Sequence, residues 1–308
     1  MARVRVLPES DRSPGRRETE SALSLANRMP RLVLEARRVA ANLAHGIHGR
    51  RRAGTGETFW QFRPFVTGEA AQRIDWRRSG RDDRLYVRER EWETAQTVWF
   101  WIDRSASMGY VSDLAQASKI ERAVVLGLAL ADCFVDGGER IGMLGLMPPR
   151  ATRRIAETMA QTLVADRASL EEDLPPQAPI AAQHEAVLIS DFLSPLREIT
   201  TMVEGISSRG ARGHLVMIVD PVEETFPFQG QAVLHDLEDG VSLRIGDASS
   251  WGRAYRARID QHRSEIQDLA RRRGWTLTIH RTDRPASEAA LRIMTLVSTA
   301  RGTAMGGR

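Results

Sequence analysis

Four short apolar runs between residues 97 and 220 set the narrowest limit on what this chain can become. They read "TVWFWI", "RIGMLGLM", "EAVLIS" and "HLVMIV", and a segment with helical spacing separates most of them from the next. Strands that alternate with helices require crossover connections, which give a mainly parallel sheet with helices on both faces. The pattern predicts a strand over 97–103, a helix from about Ser118 that closes on Gly137 and Gly138, and a strand over "RIGMLGLM". A helix over "RRIAETMAQTLVADR", a strand over "EAVLISDF", a helix over "SPLREITTMVEGISSRG" and a strand over "HLVMIVD" continue the series. The stretch "AVLHDLEDGVSLRI" reads as a hairpin turning at Asp239 and Gly240, before a long helix from about Ser250 to Arg273 and a last strand, "WTLTIH".

The front of the chain has a different texture. Residues 20–45 carry helical spacing, with Pro30 expected to start or interrupt a helix. From Gly46 to about Glu93, glycines, aromatics and short alternating runs such as "ETFWQFRPFV" and "DRLYVRERE" suggest strands and turns. The expected organisation is a flexible tail over 1–19, a helix and β-rich leader over 20–95, an α/β domain over 96–300 and a second tail over 301–308.

Charge follows the same division. Residues 1–90 hold 20 arginines against 11 acidic residues, and the remainder is mildly acidic. Lys119 is the one lysine among 44 basic residues, so the arginine bias reads as a trait of the whole composition rather than of a binding site. The single cysteine, Cys133, lies in the apolar run "AVVLGLALADCFV"; it excludes an internal disulfide and reads as a buried small hydrophobe. The N-terminus lacks an apolar signal core and no run approaches the ~18 apolar residues of a spanning helix, so a cytoplasmic protein without a membrane span is expected.

The chemistry begins where the first strand ends. Val98, Trp99, Phe100, Trp101 and Ile102 lead directly into Asp103, Ser105 and Ser107. In open α/β sheets ligands bind beyond the carboxyl ends of the strands, and hard oxygen donors at alternate positions of a loop suit Mg²⁺. A second strand ends in Ser190 and Asp191, and Asp191 is placed to hold a metal-bound water. The bland alternative is that both aspartates cap turns and the serines serve the backbone.

"DRSASM" resembles the metal-ion-dependent adhesion site signature, Asp-x-Ser-x-Ser-Met, of von Willebrand factor A-like domains. The leader "RPFVTGEAAQRIDWRRSGRDDRLYVREREWE" is similar to that of the domain-of-unknown-function 58 family, which sets such a domain behind it, and "ISDFLSP" and "RGHLVMIVDPVEETFPF" are similar as well. The resemblance covers about residues 45–298 and implies a von Willebrand factor A-like, doubly wound α/β fold. It implies a Mg²⁺ or Mn²⁺ ion, weakly bound, at Asp103, Ser105, Ser107 and Asp191, with Thr152 in "MPPRATRR" as the threonine the signature takes from a further loop. It also implies a MoxR-type AAA+ ATPase as partner and a client protein handled with it. The family's acidic pair after the leader glycine is reduced here to Gly68, Glu69 and Ala70.

Three uses of such a site compete. The first, preferred here, is a non-enzymatic interaction module whose metal accepts a partner's carboxylate, with no small-molecule substrate. The second is a metal-dependent hydrolase of phosphates or esters, which would need a base and a pocket. No nucleophile elbow or phosphate loop is present, and His184, His214, His235 and His280 are dispersed. The third is nucleic-acid binding through Arg52, Arg77, Arg78, Arg81 and the "GRR" at 49–51, but Phe59, Trp60, Phe62 and Phe65 read as the leader's core rather than a stacking platform. Arg73, Asp75 and Trp76 read as a buried ion pair under an aromatic lid.

Overall fold

The computed structural model describes residues 14–48, 59–66, 70–81, 84–90, 96–170, 172–235 and 242–305. In chain order the elements are α1 (Pro14–His48), β1 (Phe59–Pro64), α2 (Trp76–Ser79), β2 (Tyr86–Arg90), β3 (Thr97–Ile102), α3 (Lys119–Asp136), β4 (Arg140–Met143), β5 (Met147–Arg150) and α4 (Ile155–Ala165). There follow β6 (Glu185–Ser190), α5 (Leu196–Ser207), β7 (Arg212–Val219), α6 (Pro221–Thr225), β8 (Ala232–His235), β9 (Ser242–Ile245), α7 (Ala248–Arg272), β10 (Thr276–Arg281) and α8 (Ala286–Met305). The chain divides into two compact units, Met1–His45 with Gln96–Arg308, and Gly46–Ala95.

The larger unit is the α/β domain. Its six strands lie in the order β10-β7-β6-β3-β4-β5, parallel except for the antiparallel β4–β5 pair. Alternation of side chains across the strands sorts them into two cores. Val98, Phe100, Ile102, Ile141, Met143, Val187, Ile189, Val216 and Ile218 face α3, α4 and α8. Trp101, Ala186, Leu188, Leu215, Met217 and Val219 face α5 and α7. Helix α3 lies very close to β3: a Cβ added at Gly127 would stand 2.6 Å from Ile102 Cδ1.

Helix α1 belongs with this domain rather than with the leader. Leu25, Met29, Leu32, Ala36, Ala40 and Leu43 recur at three- and four-residue spacing and join the core that holds α3, α4 and α8. Arg28 and Arg31 pair with Glu121, and Arg37 pairs with Glu157. The helix starts at Pro14, earlier than expected, and continues through Pro30, which is exposed. Packing of the stripe outweighs the roughly 3 kcal/mol that a proline costs inside a helix.

The expected strand "RIGMLGLM" is two strands. Gly145, at φ +73°, lets the chain reverse, so β5 returns antiparallel to β4. Pro148 and Pro149 fit there because β5 is the sheet's edge, where a missing N–H breaks no ladder. Helices α6 and α8 have no counterpart in the sequence reading. Strands β8 and β9 pair antiparallel as the anticipated hairpin, with Asp239 and Gly240 outside the described residues. Cys133 is only partly buried, and burial pushes its thiol up to about 12.

In the smaller unit β1 and β2 pair antiparallel, and Ile74 and Val87 are buried against one another. Asp75 caps α2, its carboxylate accepting Arg78 N–H at 2.9 Å. Trp76 is 64 % exposed, so it is not a lid over an ion pair. The Arg78 guanidinium stacks over the Tyr86 ring at 4.7 Å. The expectations for residues 1–13, Gly49–Arg52, Gly68, Glu69, 306–308 and the side chains of Phe59, Trp60, Arg73 and His235 concern parts that lie outside the described residues.

Candidate functional site

The strand order reverses between β3 and β6, the place where doubly wound sheets open a crevice at their carboxyl ends. Asp103 leaves β3 there, with its N–H still bonded to Ile189 O at 2.9 Å, and Asp191 leaves β6 beside it. The sequence-predicted oxygens form one connected chain. Asp103 Oδ2 accepts from Ser190 Oγ at 2.6 Å, and Asp103 Oδ1 accepts from Ser105 N–H at 2.8 Å. Ser105 Oγ and Ser107 Oγ stand 3.2 Å apart, and Ser107 Oγ donates to Asp191 Oδ2 at 2.9 Å. Asp103, Ser105 and Asp191 are buried while Ser107 is half-exposed, so the cluster opens to the surface at Ser107.

The local sequence builds this shape. The turn Ala106–Gly109 is anchored by Met108, which is fully buried in the core. Phe192, also fully buried, holds a left-handed backbone at φ +48°, a conformation that costs a non-glycine residue of order 1–3 kcal/mol and is kept only where the surroundings enforce it. His262 on α7 bonds through Nε2 to Phe192 O at 2.7 Å, and Asp191 Oδ1 accepts from Leu193 N–H at 3.3 Å. Both aspartates therefore brace turns as well as facing the cluster, so the bland reading of each is true without excluding the other.

The site holds further residues beyond the predicted oxygens. Lys119, at the start of α3, is 1 % exposed; its ammonium donates to Asp191 Oδ2 at 2.8 Å and to Glu223 Oε1 at 2.6 Å. Its one available signal was rarity, as the only lysine in an arginine-rich chain. Glu223 belongs to a capping box with Asp220 at the head of α6, a pattern legible in "DPVE". Asp220 also accepts Ser112 N–H at 2.9 Å, tying the loop after the serines to the end of β7. Arg104 sends its guanidinium inward to Leu163 O at 2.6 Å and Asp166 O at 2.9 Å and pairs with the Asp166 carboxylate.

Burial, and then the charge of Asp191, push the Asp103 carboxyl up to about 7, against the opposing bonds from Ser190 and Ser105. Burial alone would lower the Lys119 ammonium, but Asp191 and Glu223 outweigh it and hold its pKa above the ordinary lysine value. Asp191 and Glu223 flank the one ammonium, and Asp103, when ionised, adds a further negative charge to the crevice that a divalent cation would offset.

The donor set fits such a cation. Oxygens bound at the 2.0–2.1 Å typical of Mg²⁺ in adjacent octahedral positions lie about 2.9 Å apart. The separations of 3.2 Å between the two serine hydroxyls and 2.9 Å between Ser107 and Asp191 are close to that spacing. Among the described residues no group of three or more His, Cys, Asp or Glu side chains could hold a metal ion, so any ion here depends on serine hydroxyls as well as carboxylates. Thr152 takes no part. Because β5 runs antiparallel, and Arg150 lies opposite Ile141 near the start of β4, Thr152 follows at the other end of the sheet from Asp103. There its hydroxyl accepts Arg154 N–H at 3.3 Å. The histidines stay dispersed: His184 accepts from Trp99 Nε1 at 3.3 Å, His214 bonds to Thr276, and burial followed by the Arg122 charge lowers His280 to about 4.

A six-stranded doubly wound sheet with an antiparallel edge and an oxygen-lined crevice at its reversal point is the α/β architecture expected from the resemblance to von Willebrand factor A-like domains. The chain belongs to the family described as "Protein of unknown function DUF58", which matches residues 61–265. Three solved structures are similar to it. An aerotolerance-related membrane protein from Bacteroides fragilis NCTC 9343, with multiple mutations to serines, is 16 % identical over 64 % of this chain and 98 % of its own, with a TM-score of 0.38. The conserved hypothetical protein BatB from Bacteroides thetaiotaomicron is 14 % identical over 67 % of this chain and 100 % of its own, with a TM-score of 0.42. The PilB minor pilin from Streptococcus sanguinis is 10 % identical over 70 % and 64 %, with a TM-score of 0.31. No curated protein matches the chain. Among the described residues no helix is long and apolar enough to cross a membrane.

Proposed function

We propose that this protein is a non-enzymatic interaction module whose crevice takes a partner's carboxylate through a divalent cation. Ser105 and Ser107 would hold Mg²⁺ or Mn²⁺ by their hydroxyls, with Asp103 and Asp191 supplying negative charge and hydrogen-bond acceptors. When bound, the ion supplies a coordination position for an incoming carboxylate, a charge-assisted and geometrically selective contact.

The observation that carries this reading is the convergence of four oxygen-bearing side chains with Ser107 at the opening, flanked in sequence by exposed Val111, Leu114 and Leu193. A protein interface is about as apolar as the rest of a protein surface, with polar and apolar side chains side by side, and these exposed residues next in the chain to the site supply that mixture. A hydrolase would need a base open to substrate; Asp103 has a suitable pKa but is fully buried with both oxygens engaged.

The partner in this proposal is an AAA+ ATPase of the MoxR type acting on a client protein, as the family resemblance implies. Affinity capture from native lysate tests it, comparing wild type with Asp103→Ala, each with Mg²⁺ and with chelator. Recovery of an AAA+ ATPase by wild type in Mg²⁺, and its loss under chelation and in the variant, is the expected result. Equal recovery of that ATPase in all four arms would place the contact elsewhere.

A further inference from the structure

The ammonium of Lys119 and the hydroxyl of Ser107 converge on the same atom, Asp191 Oδ2, at 2.8 and 2.9 Å. One carboxylate oxygen thus faces both a cation built into the chain and the hydroxyl offered to a cation from solution. Lys119 cannot swing away without leaving an interior where it is 1 % exposed, and Glu223 holds its far side at 2.6 Å. Arginine serves almost everywhere else in this chain. A guanidinium is a planar fork of five donors, whereas an ammonium is a compact point charge that fits between two carboxylates.

We propose that Lys119 sets the affinity of the site: its fixed charge neutralises Asp191, keeps divalent binding weak, and so leaves retention of the ion dependent on the carboxylate a partner brings. The proposal rests on the reading of the crevice as a cation-dependent contact. Two positive charges that share a carboxylate in a partly desolvated pocket repel each other more strongly than they would in water. Removing the ammonium frees Asp191 for the incoming ion. A merely structural lysine would alter the stability of the chain without strengthening its hold on a metal.

The test is titration of the full chain with Mn²⁺ alone at pH 8, reading free ion by electron paramagnetic resonance, for wild type, Lys119→Met and Lys119→Met/Glu223→Gln. The single substitution should lower the Mn²⁺ dissociation constant about tenfold or more. The double substitution removes one charge of each sign, so it preserves the net charge and leaves fewer buried charges unpaired. It should lower the constant severalfold, and it carries the test if the single variant does not fold, as judged by melting in chelator. An unchanged or raised constant in a folded variant, with saturable binding in wild type, overturns the role of Lys119 and leaves the cation site standing. Absence of saturable binding in every form, wild type included, overturns the cation site and the role of Lys119 with it.

Discussion

Replacing Asp103 with asparagine should stabilise the metal-free protein, and more so as the pH rises. The carboxyl titrates at about 7 in the folded chain against 3.8 ordinarily, so folding disfavours its ionised form. The penalty is absent below the unfolded pKa and grows until the pH passes the folded value. At about 1.36 kcal/mol per pH unit, the interval sets a ceiling of ~4 kcal/mol, of which ~3 kcal/mol develops between pH 5 and pH 8. Asparagine keeps the local bonds: its carbonyl can accept Ser105 N–H, and its amide can donate to Ser190 Oγ. That hydroxyl already accepts Phe192 N–H at 3.0 Å and has a second lone pair. With an unfolding entropy of about 2.1 cal/mol/K per residue, the ceiling corresponds to a gain of roughly 6 °C in Tm at pH 8. Melting curves of both proteins in chelator at pH 5, 6, 7 and 8 measure it. Wild type should lose stability relative to Asp103→Asn across this range. Parallel curves would refute the account of Asp103 as a charge the fold holds at a cost.

Arg104→Met should destabilise the larger unit by about 3–5 kcal/mol, because the guanidinium is buried and its loss leaves the Asp166 carboxylate and two carbonyls without it; urea unfolding reads the loss. Leu32→Ala, on the α1 stripe and 1 % exposed, should cost about 2–5 kcal/mol in the same assay, and a loss under ~1 kcal/mol would mean that α1 does not share the domain's core. Gly213→Ala should cost about 1–3 kcal/mol, since the added Cβ would stand 2.3 Å from the Trp275 ring, whose Nε1 is anchored to Ala211 O; an unchanged midpoint would contradict that packing.

What could be read from the sequence follows physical lines. Asp103, Ser105, Ser107 and Asp191 were legible because apolar strands ended in oxygen-bearing residues, and the parallel topology brought those ends together. Thr152 misled for a local reason: a single glycine at positive φ reverses the chain inside an apolar run, and that reversal sends Thr152 to the opposite end of the sheet. Helix α8 leaves a weak signal in the sequence because its buried face is partly built from Ala286, Ala289 and Ala290, which give little contrast in hydropathy. Chain order alone groups helix α1 with the leader, whereas its stripe of buried positions packs into the core of the α/β domain. Lys119 and Glu223 meet across 104 residues, and no local pattern announces such a pair.

The cation proposed for the crevice at the ends of β3 and β6 depends on the hydroxyls of Ser105 and Ser107. Calorimetric titration of Mg²⁺ into wild type and Ser105→Ala/Ser107→Ala at pH 8, where Asp103 is ionised, tests it most directly. Wild type should bind one ion per chain, and metal at 100 times the dissociation constant should raise stability by about 2.7 kcal/mol. The double variant should fold, since it removes only hydroxyl contacts among Ser105, Ser107, Asp103 and Asp191 and no apolar core side chain, yet show neither effect. Binding of equal strength in both proteins, or none in either, would contradict the claim.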